Sequence, residues 1–301
     1  MKYGLSINGG GIRGIIPCSV LAGLEAQTGK LTRELFSYVA GTSTGALLAA
    51  GVAAGVPASE LLTVYTTRSQ EVFTPTGVIA DAKRIANGFM YDPRHLYDVL
   101  GSVYGTAASW SMNDCPIGIL IPATAANGHD WYFVRDNARN AKTTGAVKLI
   151  DAAVASACAP TYFDHWRLRV GSQPLWFYDG GSGGLANPAY QTCVEMFEYD
   201  AFTAAETRVI SLGTGFYPNS DAPPKGLLGV VSWATDTLVD SSEDWVDRAV
   251  ERQWPGVTRK FDWQLPSGIA MDDLAGVPAL VQAGTAAAAS IDWKEVLGVT
   301  L

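Results

Sequence analysis

The sequence predicts an α/β fold, a layered sheet with helices packed over it. Three observations carry that prediction. Strand-like and helix-like segments alternate through the first half of the chain. Two of these units pass from an apolar strand through a glycine-containing loop into an apolar helix. Two later strand-like runs, "LWFYDGG" and "RVISLGTG", end directly in glycine.

"YGLSI", Tyr3 to Ile7, reads as the first strand, and "IIPCSVLAGLEAQTG" as the following helix, closed by Gly29. "LFSYVAG" reads as a second, buried strand. "ALLAAGVAAG" follows as a helix of small residues able to lie close against the sheet. Between about Phe73 and Gly105 the periodicity weakens and aromatic residues mix with Pro and Gly, which predicts a cap or irregular insertion. "IGILIPAT" and "DWYFVRD" flank the Asn127-Gly128 turn signal and predict an antiparallel pair. Near the end, "VPALVQAGTAAAAS" reads as a small-residue helix packed on the body. With no internal repeat, low-complexity tract or linker, residues 1–301 are expected to form one domain.

With 301 residues, 48% hydrophobic and 17% charged, the chain can bury a full core. Its longest apolar runs, Ala46 to Ala54 and Ile117 to Ala126, are too short or too interrupted to cross a bilayer. Lys2 precedes only a brief strand-like run, so the start does not read as a signal peptide. A cytoplasmic protein is expected, with peripheral attachment to a membrane left open and an exported protein as the alternative. A net charge of −8 and a pI near 4.9 argue against a broad nucleic-acid surface and against a stable electrostatic hold on anionic lipid. Cys18, Cys115, Cys158 and Cys193 show no CxxC pattern and are expected as buried reduced thiols. His95, His129 and His165 are scattered, so neither a metal site nor a cofactor is expected.

The chemistry concentrates in three places. "GTSTG", Gly41 to Gly45, matches the G-x-S-x-G nucleophile elbow and sits where that motif belongs, between a predicted strand and a predicted helix. Ser43 is therefore a candidate nucleophile, which needs a base and donors for an oxyanion. No histidine follows His165, so the order Ser, acid, His is excluded, while a triad in another order stays open. The other candidate base is Asp179, at the end of "LWFYD" and before "GGSGG"; an ordinary Asx turn explains it equally well. An exposed carboxylate is a poor base for a hydroxyl, so a Ser43–Asp179 pair requires shielding and close contact. Third, "SINGGGIRGIIP" puts Gly9, Gly10 and Gly11 at the mouth of a helix, where free backbone amides converge on an anion. Arg13, a cation in a first helical turn, opposes the dipole and calls for a negative partner. A nucleotide loop is the weaker alternative, because the P-loop lysine and hydroxyl are missing and no acidic residue closes a convincing strand about twenty residues on.

With these blocks assembled, the sequence resembles the patatin-like phospholipase family. "NGGGIRG" is similar to the family's D-G-G-G-x-R-G oxyanion block, "GTSTG" to its nucleophile block and "DGG" at Asp179 to its catalytic-acid block. "SACAPTYF", "NP" at Asn187 and Pro188, and "SLGTG" also agree, so the core motifs span about residues 2–215. Residues 216–301, a C-terminal helical region, match more loosely through "DWQLP" and "AMDDL". The resemblance implies a three-layer α/β/α sandwich with a mostly parallel central sheet, and a Ser-Asp dyad lipid acyl hydrolase. Ser43 would be the nucleophile and Asp179 the base; amides of Gly10 and Gly11 would form the oxyanion hole, with Gly9 and Arg13 supporting the loop. It implies a phospholipid or other glycerolipid substrate at a membrane or micelle surface, with no nucleic-acid polymer as partner. It also leaves room for a small-molecule activator, as in patatin-type effectors of bacterial defence systems, which the N-terminal third resembles. Asn8 departs from the family's Asp, keeping the turn-forming ability and losing the charge.

One expectation concerns the surface. Leu227, Leu228, Val231 and Trp233 form either an apolar rim for an acyl chain or bilayer, or the core face of a packed helix.

Overall fold

In the computed structural model, which describes residues 1–73, 88–217, 223, 243–265 and 268–298, eight strands join in one mixed sheet. Strand β1 (Lys2–Ile7) runs parallel to β2 (Tyr38–Gly41) on one edge and to β7 (Thr207–Leu212) on the other. β8 (Thr258–Phe261) continues parallel beyond β7, and β3 (Gly118–Ala125) parallel beyond β2. β4 (Asp130–Val134) returns antiparallel along β3 after the Asn127-Gly128 turn, where Gly128 takes φ 83°. β5 (Trp166–Val170) and β6 (Gln173–Asp179) form a hairpin whose second strand pairs antiparallel with β3.

Alternation along the strands sorts the layers, because successive side chains point to opposite faces. Leu5, Ile7, Val39, Ile119, Ile121, Ile210 and Leu212 share one buried cluster, while Tyr38, Ala40, Leu120 and Val209 belong to the other. The first face is covered by α1 (Ile15–Thr28), α3 (Thr44–Ala54), α4 (Ala58–Thr66), α6 (Pro93–Tyr104), α7 (Leu149–Ala157), α10 (Val277–Ala289) and α11 (Trp293–Leu297). The short helices α2 (Thr32–Leu35) and α5 (Ser69–Val72) connect elements of that layer. The second face is covered by α8 (Ala189–Val194), its π-helical continuation to Tyr199, and α9 (243–253). Helices on both faces of a largely parallel sheet make this the α/β/α sandwich that the resemblance implied.

α3 is buried from Thr44 to Ala53, so it is apolar all round rather than amphipathic. The terminal small-residue helix packs as expected: a Cβ on Gly23 of α1 would lie 2.8 Å from the Ala288 Cβ, so the α1 and α10 backbones approach closely. All four cysteines are free and buried. Part of the segment expected to be irregular is regular. α6 has Asp92 as N-cap, accepting the Arg94 amide at 2.9 Å, Pro93 in its first turn, and Leu96, Val99, Leu100 and Val103 on its buried face. The aromatic residues around it obscure that period. Among the described residues no helix is long and apolar enough to cross a membrane.

Candidate functional site

β2 leaves the sheet at Gly41, and the chain turns through Thr42 and Ser43 into α3. Ser43 takes φ 56° and ψ −125°, a conformation costly for any residue with a Cβ. The turn is closed by the Gly45 amide donating to the Thr42 carbonyl at 2.7 Å and Ala46 to the Ser43 carbonyl at 2.8 Å. Both motif glycines answer to space. A Cβ on Gly41 would fall on the Gly45 carbonyl, and one on Gly45 on the Ile7 carbonyl. The motif is therefore the point where strand, turn and helix backbones touch. The Ser43 amide donates to the Ser156 hydroxyl on α7 at 3.0 Å.

The exit of β2 also explains how Asp179 arrives. β4 lies along one edge of β3, with Ala123 opposite Trp131, and β2 lies along the other, with Leu120 opposite Ala40. Where β2 departs, β6 takes over that vacated edge, and its last residue, Asp179, stands opposite Ala123. Gly180 accordingly faces the turn, since a Cβ there would sit 3.1 Å from the Thr42 methyl. The Ser43 hydroxyl lies near enough to the Asp179 carboxylate to favour its charged form. The Gly181 amide donates to Asp179 Oδ1 at 2.7 Å, and the Asp179 amide donates to the Cys158 carbonyl at 2.9 Å. Ser43 is 8% exposed and Asp179 5%. Burial pushes the Asp179 carboxyl up to about 6, against the opposing pull of the Ser43 hydroxyl and the Gly181 amide. A shielded carboxylate beside a hydroxyl, ionised at neutral pH, can take that hydroxyl's proton.

No histidine joins this pair among the described residues. His165 Nδ1 lies 2.8 Å from Asp164, His95 is on α6, and His129 follows the Asn127-Gly128 turn.

The glycine loop lies beside the elbow, a Cβ on Gly9 falling 3.2 Å from the Ser43 Cβ. The Gly9 amide donates to the Ala186 carbonyl at 2.9 Å, and the Thr214 hydroxyl to the Gly9 carbonyl at 2.8 Å. Arg13 donates to the carbonyls of Gly10 (3.3 Å) and Gly215 (3.2 Å), stacks 5.6 Å from the Tyr217 ring, and attracts the Asp262 carboxylate. Carbonyl oxygens and Asp262 thus supply the negative partners that a cation in this helical turn requires. Gly9 and Arg13 hold the loop, whereas no described acceptor takes the amides of Gly10 and Gly11. Gly11 takes φ 58°, and a Cβ there would fall 2.6 Å from the Met271 Cβ. The Ile12 amide bonds the Met271 carbonyl at 2.8 Å, and the Tyr91 hydroxyl bonds Asp272 at 2.7 Å, so the segment 269–273 lies against the loop. Asn8 is fully buried, and its side-chain amide has no partner among the described residues. Its backbone amide, donating to the Leu212 carbonyl at 2.9 Å, helps carry the turn.

Sequence reasoning assigned no role to Thr42, Ser156, Thr214 or Met271. Each acts through a contact distant in sequence, and the one local signal was a serine near the end of α7, in the small apolar run that follows Asp151. Leu227, Leu228, Val231 and Trp233 lie outside the described residues.

Comparison with known proteins adds an independent line. The patatin-like phospholipase profile matches residues 5–191. A protein named cGAMP-activated phospholipase, from Vibrio cholerae serotype O1, is 30% identical over 251 residues, covering 75% of this chain and 69% of its own. Patatin-like protein 2 of Oryza sativa subsp. japonica is 32% identical over 289 residues, 81% of this chain and 70% of its own. Patatin-17 of Solanum cardiophyllum is 31% identical over 205 residues, 62% of this chain and 50% of its own.

Proposed function

Since the chain belongs to the patatin-like phospholipase family, whose enzymes are lipid acyl hydrolases, we propose that it cleaves fatty acyl esters of glycerolipids through a Ser43–Asp179 dyad. Asp179 takes the Ser43 proton as Oγ attacks the ester carbonyl carbon. The oxyanion that forms lies against the free amides of Gly10 and Gly11. Collapse breaks the ester C–O bond, the leaving alkoxide takes the proton from Asp179, and an acyl-Ser43 remains. Water, deprotonated by Asp179, then attacks the acyl carbon; collapse returns the proton to Ser43 Oγ and releases the fatty acid. The observation that carries this reading is that Ser43 and Asp179 are buried and close enough for the hydroxyl to act on the carboxylate, with no histidine beside them among the described residues.

The test is fatty acid release from mixed phospholipid vesicles in buffer containing a chelator. Wild type is expected to release fatty acid and Ser43→Ala to lose about 10³-fold or more in rate while remaining folded. Folded wild type without hydrolysis both in the absence and in the presence of cGAMP, or Ser43→Ala with undiminished hydrolysis, would sink the dyad. A second reading adds regulation, because three relatives at 30–31% identity are named cGAMP-activated phospholipases. In that case the vesicle rate rises on addition of cGAMP, and an unchanged rate removes this arm alone.

Arg13 supplies a finer check on the oxyanion loop. Its planar guanidinium donates to two carbonyls from two separate nitrogens, a fixed geometry that the single nitrogen of lysine does not reproduce. Arg13→Lys is expected to lower kcat about 10-fold with KM unchanged, since the loop it steadies acts on the transition state. A rise in KM alone would contradict that role.

A further inference from the structure

The elbow and the glycine loop both lean on one short segment. The Thr42 hydroxyl donates to the Leu185 carbonyl at 2.6 Å, and the Gly9 amide to the Ala186 carbonyl at 2.9 Å. The next residue, Asn187, is fully buried. Its Oδ1 accepts the Ala189 amide at 3.0 Å, and its Nδ2 donates to Asp247 Oδ1 at 2.8 Å, on α9. Asp247 Oδ2 in turn accepts Lys260 Nζ at 2.7 Å, from β8, with Glu243 3.6 Å from the same ammonium.

This clasp stands at the end of a polar row across the sheet. Ser6 pairs with Ser211 in the β1–β7 ladder, and Ser211 with Lys260 in the β7–β8 ladder. Much of the rest of this face is apolar, including Tyr38, Leu120, Val209 and Val257. Charged and amide groups partly withdrawn from water add little net stability over a hydrophobic filling of the same shape. They do add direction, because hydrogen bonds hold a segment at one height and angle where apolar contacts let it slide. The segment so held is the one on which both halves of the site rest.

We propose that Asn187, held by Asp247 and Lys260, is a positioning residue: it sets the height of Leu185 and Ala186, and so the spacing between Ser43 and the amides of Gly10 and Gly11. The inference rests on the Ser43 reading for its chemistry but not for its geometry. A displacement of about 1 Å at such a site costs on the order of 10²-fold in rate without weakening ground-state binding.

The test is a charge swap. Asn187→Asp sets a carboxylate against Asp247 and removes the bond. Asn187→Asp combined with Asp247→Asn restores every bond, because the new amide donates to position 187 and still accepts from Lys260. Turnover of a soluble short-chain ester, Ser43 labelling by a fluorophosphonate, and hydrogen exchange of the peptide covering residues 6–14 are followed together. Asn187→Asp is expected to lower kcat and labelling about 10- to 100-fold with KM within about twofold, and the double variant to recover to within about threefold. Loop exchange should rise in the single variant and return in the double. Should Asn187→Asp not fold, Asp247→Asn alone, which keeps one of the two bonds, is expected to show the same pattern at about 3- to 10-fold.

A folded single variant with kcat within twofold of wild type overturns the inference, as does a double variant that regains thermal stability but not kcat. If wild type neither turns over nor labels, with or without cGAMP, the Ser43 reading has failed instead. Loop exchange then decides the positioning role: a rise that the swap reverses supports it, and unchanged exchange overturns it.

Discussion

Replacing Asp179 with asparagine is expected to remove hydrolysis and to stabilise the protein in the same step. The activity side follows from the proposed base: an amide cannot take the Ser43 proton, and the rate should fall about 10³-fold or more. The stability side follows from burial. The carboxyl's ordinary value near 3.8 is raised to about 6 in the folded state, chiefly by loss of water. A raised carboxyl means that the native state holds its proton more tightly than the unfolded chain does. That contribution to stability is fully present below about 3.8 and is lost as pH rises through about 6, a change of about 3 kcal/mol. Asparagine escapes the charging cost and still accepts the Gly181 amide, so it should raise unfolding stability at pH 7 by about 2 kcal/mol. Near pH 4 the gain should shrink towards zero. Wild-type kcat/KM should meanwhile rise with pH along a limb centred near 6, as Asp179 ionises. Denaturant midpoints at the two pH values and one pH–rate profile check both halves. An asparagine variant less stable than wild type at pH 7 would show that this carboxylate is not strained by its burial.

Gly45→Ala should be one of the most damaging single methyls among the described residues. Its Cβ would fall on the Ile7 carbonyl, which belongs to the central strand and cannot rotate aside. The start of α3 must therefore move outward, taking Ser43 with it. A loss of about 3 kcal/mol in stability is expected, with about 10²-fold in kcat for the fraction that stays folded. The same substitution at Gly101 should have the opposite sign. That residue lies inside α6, where a Cβ would meet only the Ile150 side chain at 3.8 Å, and alanine is the better helix former by about 1 kcal/mol. Paired unfolding curves separate a steric requirement from a general effect of glycine replacement. Equal effects at the two positions would contradict the tight contact at the elbow.

Much of the site is legible in the amino-acid sequence, because its parts are local. A serine between two glycines, after a buried strand and before a small-residue helix, can do little but form an elbow. Three successive glycines ahead of a helix leave amides free. The absence of any histidine after His165 excludes one familiar triad order, and "DGG" at a strand end offers an acid. Less accessible are β5, whose exposed face alternates with arginines, and β8, a four-residue strand at the sheet edge. α6 is hidden among aromatic residues, although its capping aspartate and proline are in plain view.

Local pattern thus settled the kinds of part this protein contains: the α/β layering, the elbow, the glycine loop and the hairpin at Asn127-Gly128. Their meeting was decided in three dimensions. Asp179 reaches Ser43 because β6 occupies the edge that β2 vacates, a choice of partner between strands far apart in the chain. Its carboxyl rises to about 6 because neighbours from several elements exclude water from it. The glycine loop keeps its place because Ala186, Thr214 and Gly215 meet it from distant segments. Periodicity and turn chemistry act over a few residues and are written in the sequence directly. Edge pairing, burial and long-range hydrogen bonds depend on every layer closing at once, and only the folded chain expresses them.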